Sequence, residues 1–449
     1  MYQCLTYPIG SKQDIDALIY PIYKDPPMSP DAVLSLLLIA LLVGGMLARP
    51  LYPKLPTWSL MSLAAFIAVF FGPLGVDDVP RVVNFEVLLF LIGMFSIVAL
   101  AESSGLLDAF AYWFVSLLRS RLSIFVGSSL LFGLLSAIAV NDTVALMGPP
   151  LAAAVARAAG IEYRHMFLLL AFSLTIGSVM TPIGNPQNML IAVESGMATP
   201  FITFLRHLAI PTLINLVATP LLLFKLFGIK NEKVRYVAVA REHIRNRRDA
   251  AVAAVVLLGT VAAILANDLA ALSGHPHIKN IGFIPFVAAS LLYFFATSPR
   301  EVLAKVEWGT IIFFIAMFIT MATIWHGGVL QPLTSALLPS YSGSALDLLA
   351  ITALSIALSQ VLSNVPFVSL FSTYLHELGV ADPKAWVALA MASTIAGNLT
   401  LLGAASNIII LEVLETRFGA TITFLQFLKY GALVTALNLA VYLPFLLLA

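Results

Sequence analysis

Long apolar stretches separated by short polar ones dominate the chain. Ten of them, roughly 31–48, 57–72, 84–101, 164–194, 207–227, 250–272, 281–297, 308–325, 385–411 and 424–448, are near the length that crosses a bilayer as a helix. Two more, 122–157 and 346–378, are too long for one crossing. Each is interrupted midway, by Asn141-Asp142 in the first and by Ser363-Asn364-Val365-Pro366 in the second. An amide or carboxylate facing lipid at mid-depth is costly. A helical hairpin that enters and leaves on one face, with its tip buried in protein, removes that cost. The pattern predicts an all-α integral membrane protein with about ten transmembrane helices and two re-entrant hairpins.

Composition agrees. The chain is 60% hydrophobic and 10% charged, where a soluble domain carries about 25% charged residues. A net charge of +1 gives no electrostatic footprint for nucleic acid. The one cysteine, Cys4, excludes an intramolecular disulfide. No Cys/His cluster has metal spacing, and no nucleophile–base pair falls in the spans, so neither a resident metal, a cofactor nor an enzyme is expected. Residues 1–30 hold Tyr, Pro and charges without an apolar core, and read as an extramembrane tail rather than a signal peptide. Most of the 24 Lys and Arg fall in segments that share a face with the basic connector 228–249. Placing that connector in the cytoplasm satisfies the positive-inside rule and puts both termini outside the cytoplasm of a multi-pass cell-membrane protein. Trp58, Trp113, Trp308, Trp325 and Trp386 near span ends fit aromatic belts, and Glu86 and Glu307 fit helix N-termini.

The chain also repeats itself. Met94-Phe95 recurs as Met317-Phe318, Gly105 as Gly328 and Asn141 as Asn364, all at an offset of 223. Thr175-Ile176-Gly177, Thr181, Gly184 and Asn188 match Thr394-Ile395-Ala396, Thr400, Gly403 and Asn407 at 219, and Ile202-Thr203-Phe204-Leu205 matches Ile422-Thr423-Phe424-Leu425 at 220. The halves are 31–227, with hairpin 122–157 and broken helix 164–194, and 250–449, with hairpin 346–378 and broken helix 385–411. Five crossings per half is an odd number, so the second half is expected to be inverted. Inverted repeats with broken helices meeting at the midplane are a mark of secondary transporters.

The breaks supply candidate chemistry. In Thr181-Pro182-Ile183-Gly184-Asn185-Pro186-Gln187-Asn188, Pro182, Pro186 and Gly184 interrupt the helix, and Asn185, Gln187 and Asn188 add amides that donate and accept. The bland alternative is a proline kink that only shapes packing. The mate, from Gly397-Asn398 through Thr400 and Gly403 to Asn407, has no proline and must open at its glycines; close packing of small residues is the alternative there. At the hairpin tips, Asn141, Asp142, Thr143, Ser363 and Asn364 offer amide, hydroxyl and carboxylate oxygens. A carboxylate withdrawn from water takes up a proton more readily, so Asp142 is a candidate for H+ coupling or for a Na+ site with Asn141 and Asn364; capping the following helix is the structural alternative. With no Lys or Arg expected in the site, a small hydroxylated solute or a weakly charged oxyanion suits this lining better than a di- or tricarboxylate.

At these residues the sequence resembles the ion transporter superfamily of citrate-type carriers, arsenite pumps and Na+/H+ antiporters. The segments Asn141-Asp142-Thr143, Thr181 to Asn188, Ser363 to Pro366 and Ala396 to Gly403 are most similar to the arsenite-pump branch and, within it, to silicon efflux transporters and related anion transporters. The likeness runs from about 31 to 448. It implies export of a small metalloid oxyacid, silicic or arsenous in type, in exchange for H+, by a monomer or a homodimer. Alternatives are a Na+- or H+-coupled carrier of carboxylates or inorganic anions and, ranked below it, a Na+/H+ antiporter. The chain departs from the Na+-coupled dicarboxylate carriers: Thr143 follows Asn141-Asp142 where they carry Ser-Asn-Thr.

Overall fold

The computed structural model describes residues 29–48, 56–234 and 244–448. The tail 1–30 lies almost wholly outside the described residues, as does part of the connector. The first half runs through α1 (Pro30–Ala48), α2 (Thr57–Phe71), a 3-10 turn into the short α3 (Val79–Val82), α4 (Phe85–Ser103) and α5 (Leu106–Ser116). There follow α6 (Arg121–Ala139), α7 (Asn141–Ala159), α8 (Tyr163–Ser178), α9 (Pro186–Glu194) and α10 (Pro200–Phe204), which passes through a π-helical turn into α11 (Ile210–Leu226). The second half has α12 (Arg247–Leu272), α13 (Phe283–Phe295), α14 (Pro299–Ala304), α15 (Trp308–His326) and α16 (Gln331–Leu337). It ends with α17 (Ala345–Leu362), α18 (Asn364–Glu377), α19 (Pro383–Ile395), α20 (Ala405–Phe418) and α21 (Phe424–Leu448).

The fold is that of an all-α membrane protein. Local signals set the helix ends. Ser120 with Ser123 and Ser344 with Asp347 form capping boxes at the two hairpin entries, and Gly160 and Gly419 close α7 and α20 in the left-handed conformation. Seven helices among the described residues are long and apolar enough to cross a membrane alone, or eight if α2 and the bent piece after it count as one. Two of the seven, α6 and α17, are the entry limbs of the long apolar stretches. Five of the ten expected crossings are missing from that count, because α8/α9 and α19/α20 are each cut into pieces and because the apolar parts of α1, α2 and α13 are short. The amphipathic α5 and the short α16, which follow Gly105 and Gly328 at φ 80° and 70°, were not anticipated from apolar periodicity.

Contacts sort the helix ends onto two faces. On the face of the connector, Arg245 N–H donates to Ser104 O, Arg121 pairs with Glu232, and Asp249 accepts from Thr297. On the far face, Asn84 donates to Glu194, which pairs with His376, and Gly282 N–H donates to Glu86. Helix α4 therefore runs from the far face to the connector face. Its counterpart α15 runs the other way, ending where Trp325 donates to Glu377. The halves exchange their opening helices: α1 and α2 pack on α15, while α12 and α13 pack on α4. Gly93 of α4 lies so close to the Pro285 backbone that a Cβ would collide with it, and Gly177 of α8 meets the Gly133 backbone of α6 in the same way. Trp386 is fully buried, its Nε1 donating to Val380 O, so it does not belong to an aromatic belt.

Candidate functional site

Both long stretches double back over a single residue. Val140 joins α6 to α7 and Ser363 joins α17 to α18, at φ 62° and 69°; they are the two non-glycine residues with positive φ among those described. L-residues pay for that backbone, and such strain concentrates where geometry is functionally constrained. At each tip the new helix starts at once, presenting its first turn to the centre of the molecule.

A cavity of about 420 Å³ lies there. Four helix N-termini reach its wall: α7 with Asn141 and Asp142, α9 with Pro186 and Gln187, α18 with Ser363 to Pro366, and α20 with Ala404 and Ser406. First-turn N–H groups have no intrahelical acceptor, and each helix start carries a partial positive charge. Asn185 caps α9 by accepting from Asn188 N–H at 2.8 Å, whereas α7, α18 and α20 have no side-chain cap. Asn141 Oδ1, Asn364 Oδ1 and Ser406 Oγ are buried without a hydrogen-bond partner. Most of the remaining wall comes from α2 and the start of α15, with Thr57, Trp58, Met61, Glu307, Thr310, Phe313 and Phe314, and Leu42 of α1 and Leu362 of α17 add to it. Among the described residues no Lys or Arg lines it.

The first break forms the floor behind this wall. Asn188, fully buried, donates to the carbonyls of Ser178, Val179 and Thr181 at 2.9, 3.3 and 3.1 Å. Thr394 of the second half receives Asn185 and Gln187 and donates to Asn188 Oδ1. Thr181 donates to Ala137 O, and Asn141 N–H donates to Gly184 O, which ties the hairpin tip to the break. A Cβ at Gly184 would strike Ser178 O. Pro182 sits within the break and Pro186 opens α9, where its missing N–H costs nothing. In the second break Asn407 donates to Gly397 O at 2.7 Å, and Gln360 accepts from Thr400 and donates to Ala396 O. Gly403 packs against Ala396 O, and Asn398 donates to Asn438.

Of the residues singled out by sequence, the cavity brings together Asn141, Asp142, Pro186, Gln187, Ser363 and Asn364. Thr143, Thr181, Pro182, Gly184, Asn185, Asn188, Gly397, Asn398, Thr400, Gly403 and Asn407 do not line it. Several of them brace the breaks instead, although Asn398 Oδ1 and Asn407 Oδ1 are buried and unpartnered. Sequence reasoning missed Glu307, Thr310 and Thr57 as wall residues, Trp58 as more than a belt residue, and Thr394 and Gln360 as braces. It also missed a buried seam between α11 and α21, where Asn438 donates to Asn215 and Thr219, and Thr212 bonds Tyr442. The signal that could have found Asn215 and Asn438 is an amide at mid-depth of an apolar run, which needs a partner inside the protein.

Two re-entrant tips and two interrupted helices around one central cavity define a membrane transporter. The chain belongs to the citrate transporter family, whose pattern matches residues 34–396. An uncharacterized transporter of Mycobacterium tuberculosis is 30% identical over 400 residues, covering 84% of this chain and 91% of its own. The human P protein is 24% identical over 474 residues, and that match covers 87% of this chain but 56% of the P protein. The crystal structure of the Alcanivorax borkumensis YdaH transporter superposes with a TM-score of 0.54 over 81% of this chain and 84% of its own, at 15% identity, a likeness of fold.

Proposed function

We propose that this member of the family exports a small metalloid oxyacid, of the silicic or arsenous type, in exchange for H+, with Asp142 as the coupling group. The observation that carries this reading is the chemistry of the cavity wall. Uncapped helix starts supply N–H donors, Gln187, Ser363 and Asn364 supply polar groups of both kinds, and two carboxylates, Asp142 and Glu307, stand where a cationic clamp would be needed for a polycarboxylate. A neutral polyhydroxy acid donates to the orphaned Asn141, Asn364 and Ser406 oxygens and accepts from the helix starts.

In this reading the halves are inverted repeats and the connector face is cytoplasmic. The cavity wall reaches Thr57, Glu307 and Gly309, at the connector-side starts of α2 and α15, the side that this reading makes cytoplasmic. A second reading, a Na+- or H+-coupled carrier of carboxylates or inorganic anions, is favoured by the family's description and by the unpartnered Asn141 and Asn364 oxygens. Those oxygens with Asp142 form the hard-oxygen set a Na+ ion would take. A Na+/H+ antiporter ranks below both, because an ion exchanger has no use for a solute-sized cavity.

Proteoliposomes with an imposed pH gradient test the reading. Silicic or arsenous acid flux should follow the gradient and lose that dependence in Asp142→Asn. Flux indifferent to pH but driven by a Na+ gradient, with competition by succinate or citrate, would support the second reading and refute the first.

A further inference from the structure

We propose that Glu307 determines specificity by keeping anions out of the cavity. Four helix N-termini converge on one cavity, and such ends attract anions whether or not an anion is the cargo. A transporter of neutral solutes built this way needs an opposing charge that solutes meet before the helix starts. Glu307 has that position. It precedes α15, lines the cavity and belongs to the half opposite Asp142. It stands at the N-cap of α15, yet its side chain makes no capping bond, so the carboxylate is not consumed by the helix it introduces. No ion pair or hydrogen bond engages it among the described residues. Its repeat mate, 223 positions earlier, is Asn84, which does cap its helix, accepting from Val87 N–H at 3.2 Å. A neutral cap would therefore have served, and a charge replaces it only where the cavity opens. Glu102 lies near enough to add its field to that of Glu307. Among the described residues, the cations that act on Glu102 are Lys305 and Arg245; neither lines the cavity, and Arg245 is paired with Asp108.

The inference rests on the oxyacid reading for its purpose but not for its test. Binding of succinate and sulfate is measured directly on the purified full chain, alongside wild type, for E307Q, Glu307→Asp, Thr310→Lys and the exposed same-face control Glu301→Gln. Removing one charge at close range in a partly screened cavity should tighten anion binding about tenfold in E307Q. Thr310→Lys, on the same wall, should tighten it as well. Glu307→Asp should resemble wild type, and Glu301→Gln should show no change. Thr310→Lys keeps the test decisive if E307Q does not fold. Unchanged anion binding in both charge-altering variants, or an equal gain in Glu301→Gln, overturns the proposal. Failure of the oxyacid reading would show separately, as wild-type proteoliposomes that move neither silicic nor arsenous acid.

Discussion

Asn188 separates a bracing role from a binding one. By sequence it is one of three amides in a broken helix; in the fold it is fully buried and its side chain spans the gap left by the missing turn. Asn188→Ala removes three donated bonds, to Ser178 O, Val179 O and Thr181 O, and one accepted from Thr394. Ser178 O keeps a long bond from Asn185, and Thr181 O keeps Gly184 N–H, so Val179 O loses most. At about 0.5–1.5 kcal/mol per bond, with values inside membranes toward the low end, the loss is about 2–4 kcal/mol. With an unfolding entropy near 2.1 cal/mol/K per residue, a chain of 449 residues would melt roughly 2–4 °C lower. Gln187→Ala is the control, because Gln187 makes one such bond and lines the cavity. It should melt within about 1 °C of wild type and lose transport. Thermal unfolding in detergent, paired with flux in proteoliposomes, reads both. An Asn188→Ala protein with wild-type melting and altered solute affinity would refute the bracing argument and return Asn188 to the binding residues.

Three further outcomes follow from packing and polarity. Gly177→Ala should force α6 and α8 apart, because its Cβ would enter the Gly133 backbone; a loss of about 2 kcal/mol or more should appear as lower yield and melting temperature. Thr394→Val removes the hydroxyl shared by Asn185, Gln187 and Asn188, and should cost about 2–3 kcal/mol in chemical unfolding. Thr435→Val deletes a buried hydroxyl that has no partner, and should leave stability unchanged or raise it by up to about 1 kcal/mol in the same assay.

What was legible in the sequence was whatever a bilayer makes expensive. Asn141-Asp142 and Ser363-Asn364 stand out because a polar pair inside an apolar run has to be buried in protein, and the folded chain turns within a residue of each pair. Pro182, Gly184 and Pro186 mark the first break because backbone chemistry forbids a continuous helix there. Whether a buried amide binds a solute or braces a carbonyl is not written in its identity. Asn188 and Gln187 share a functional group, and only their neighbours distinguish them. Glu307 was hidden for another reason: a glutamate at a helix start is commonplace, and it takes the three-dimensional wall to show that this one caps nothing. Length alone counts α6 and α17 as crossings and overlooks α8/α9, because it does not register that a helix has doubled back or been interrupted.

The exchange of opening helices has a consequence for how the chain is made. Helix α4 emerges early in synthesis, but the surface that fits Gly93 belongs to α13, whose Pro285 is translated nearly two hundred residues later. Until then the first half has a groove filled only by lipid. Neither half is a self-sufficient folding unit, and a chain severed at the connector should recover activity only when both pieces are produced in the same membrane.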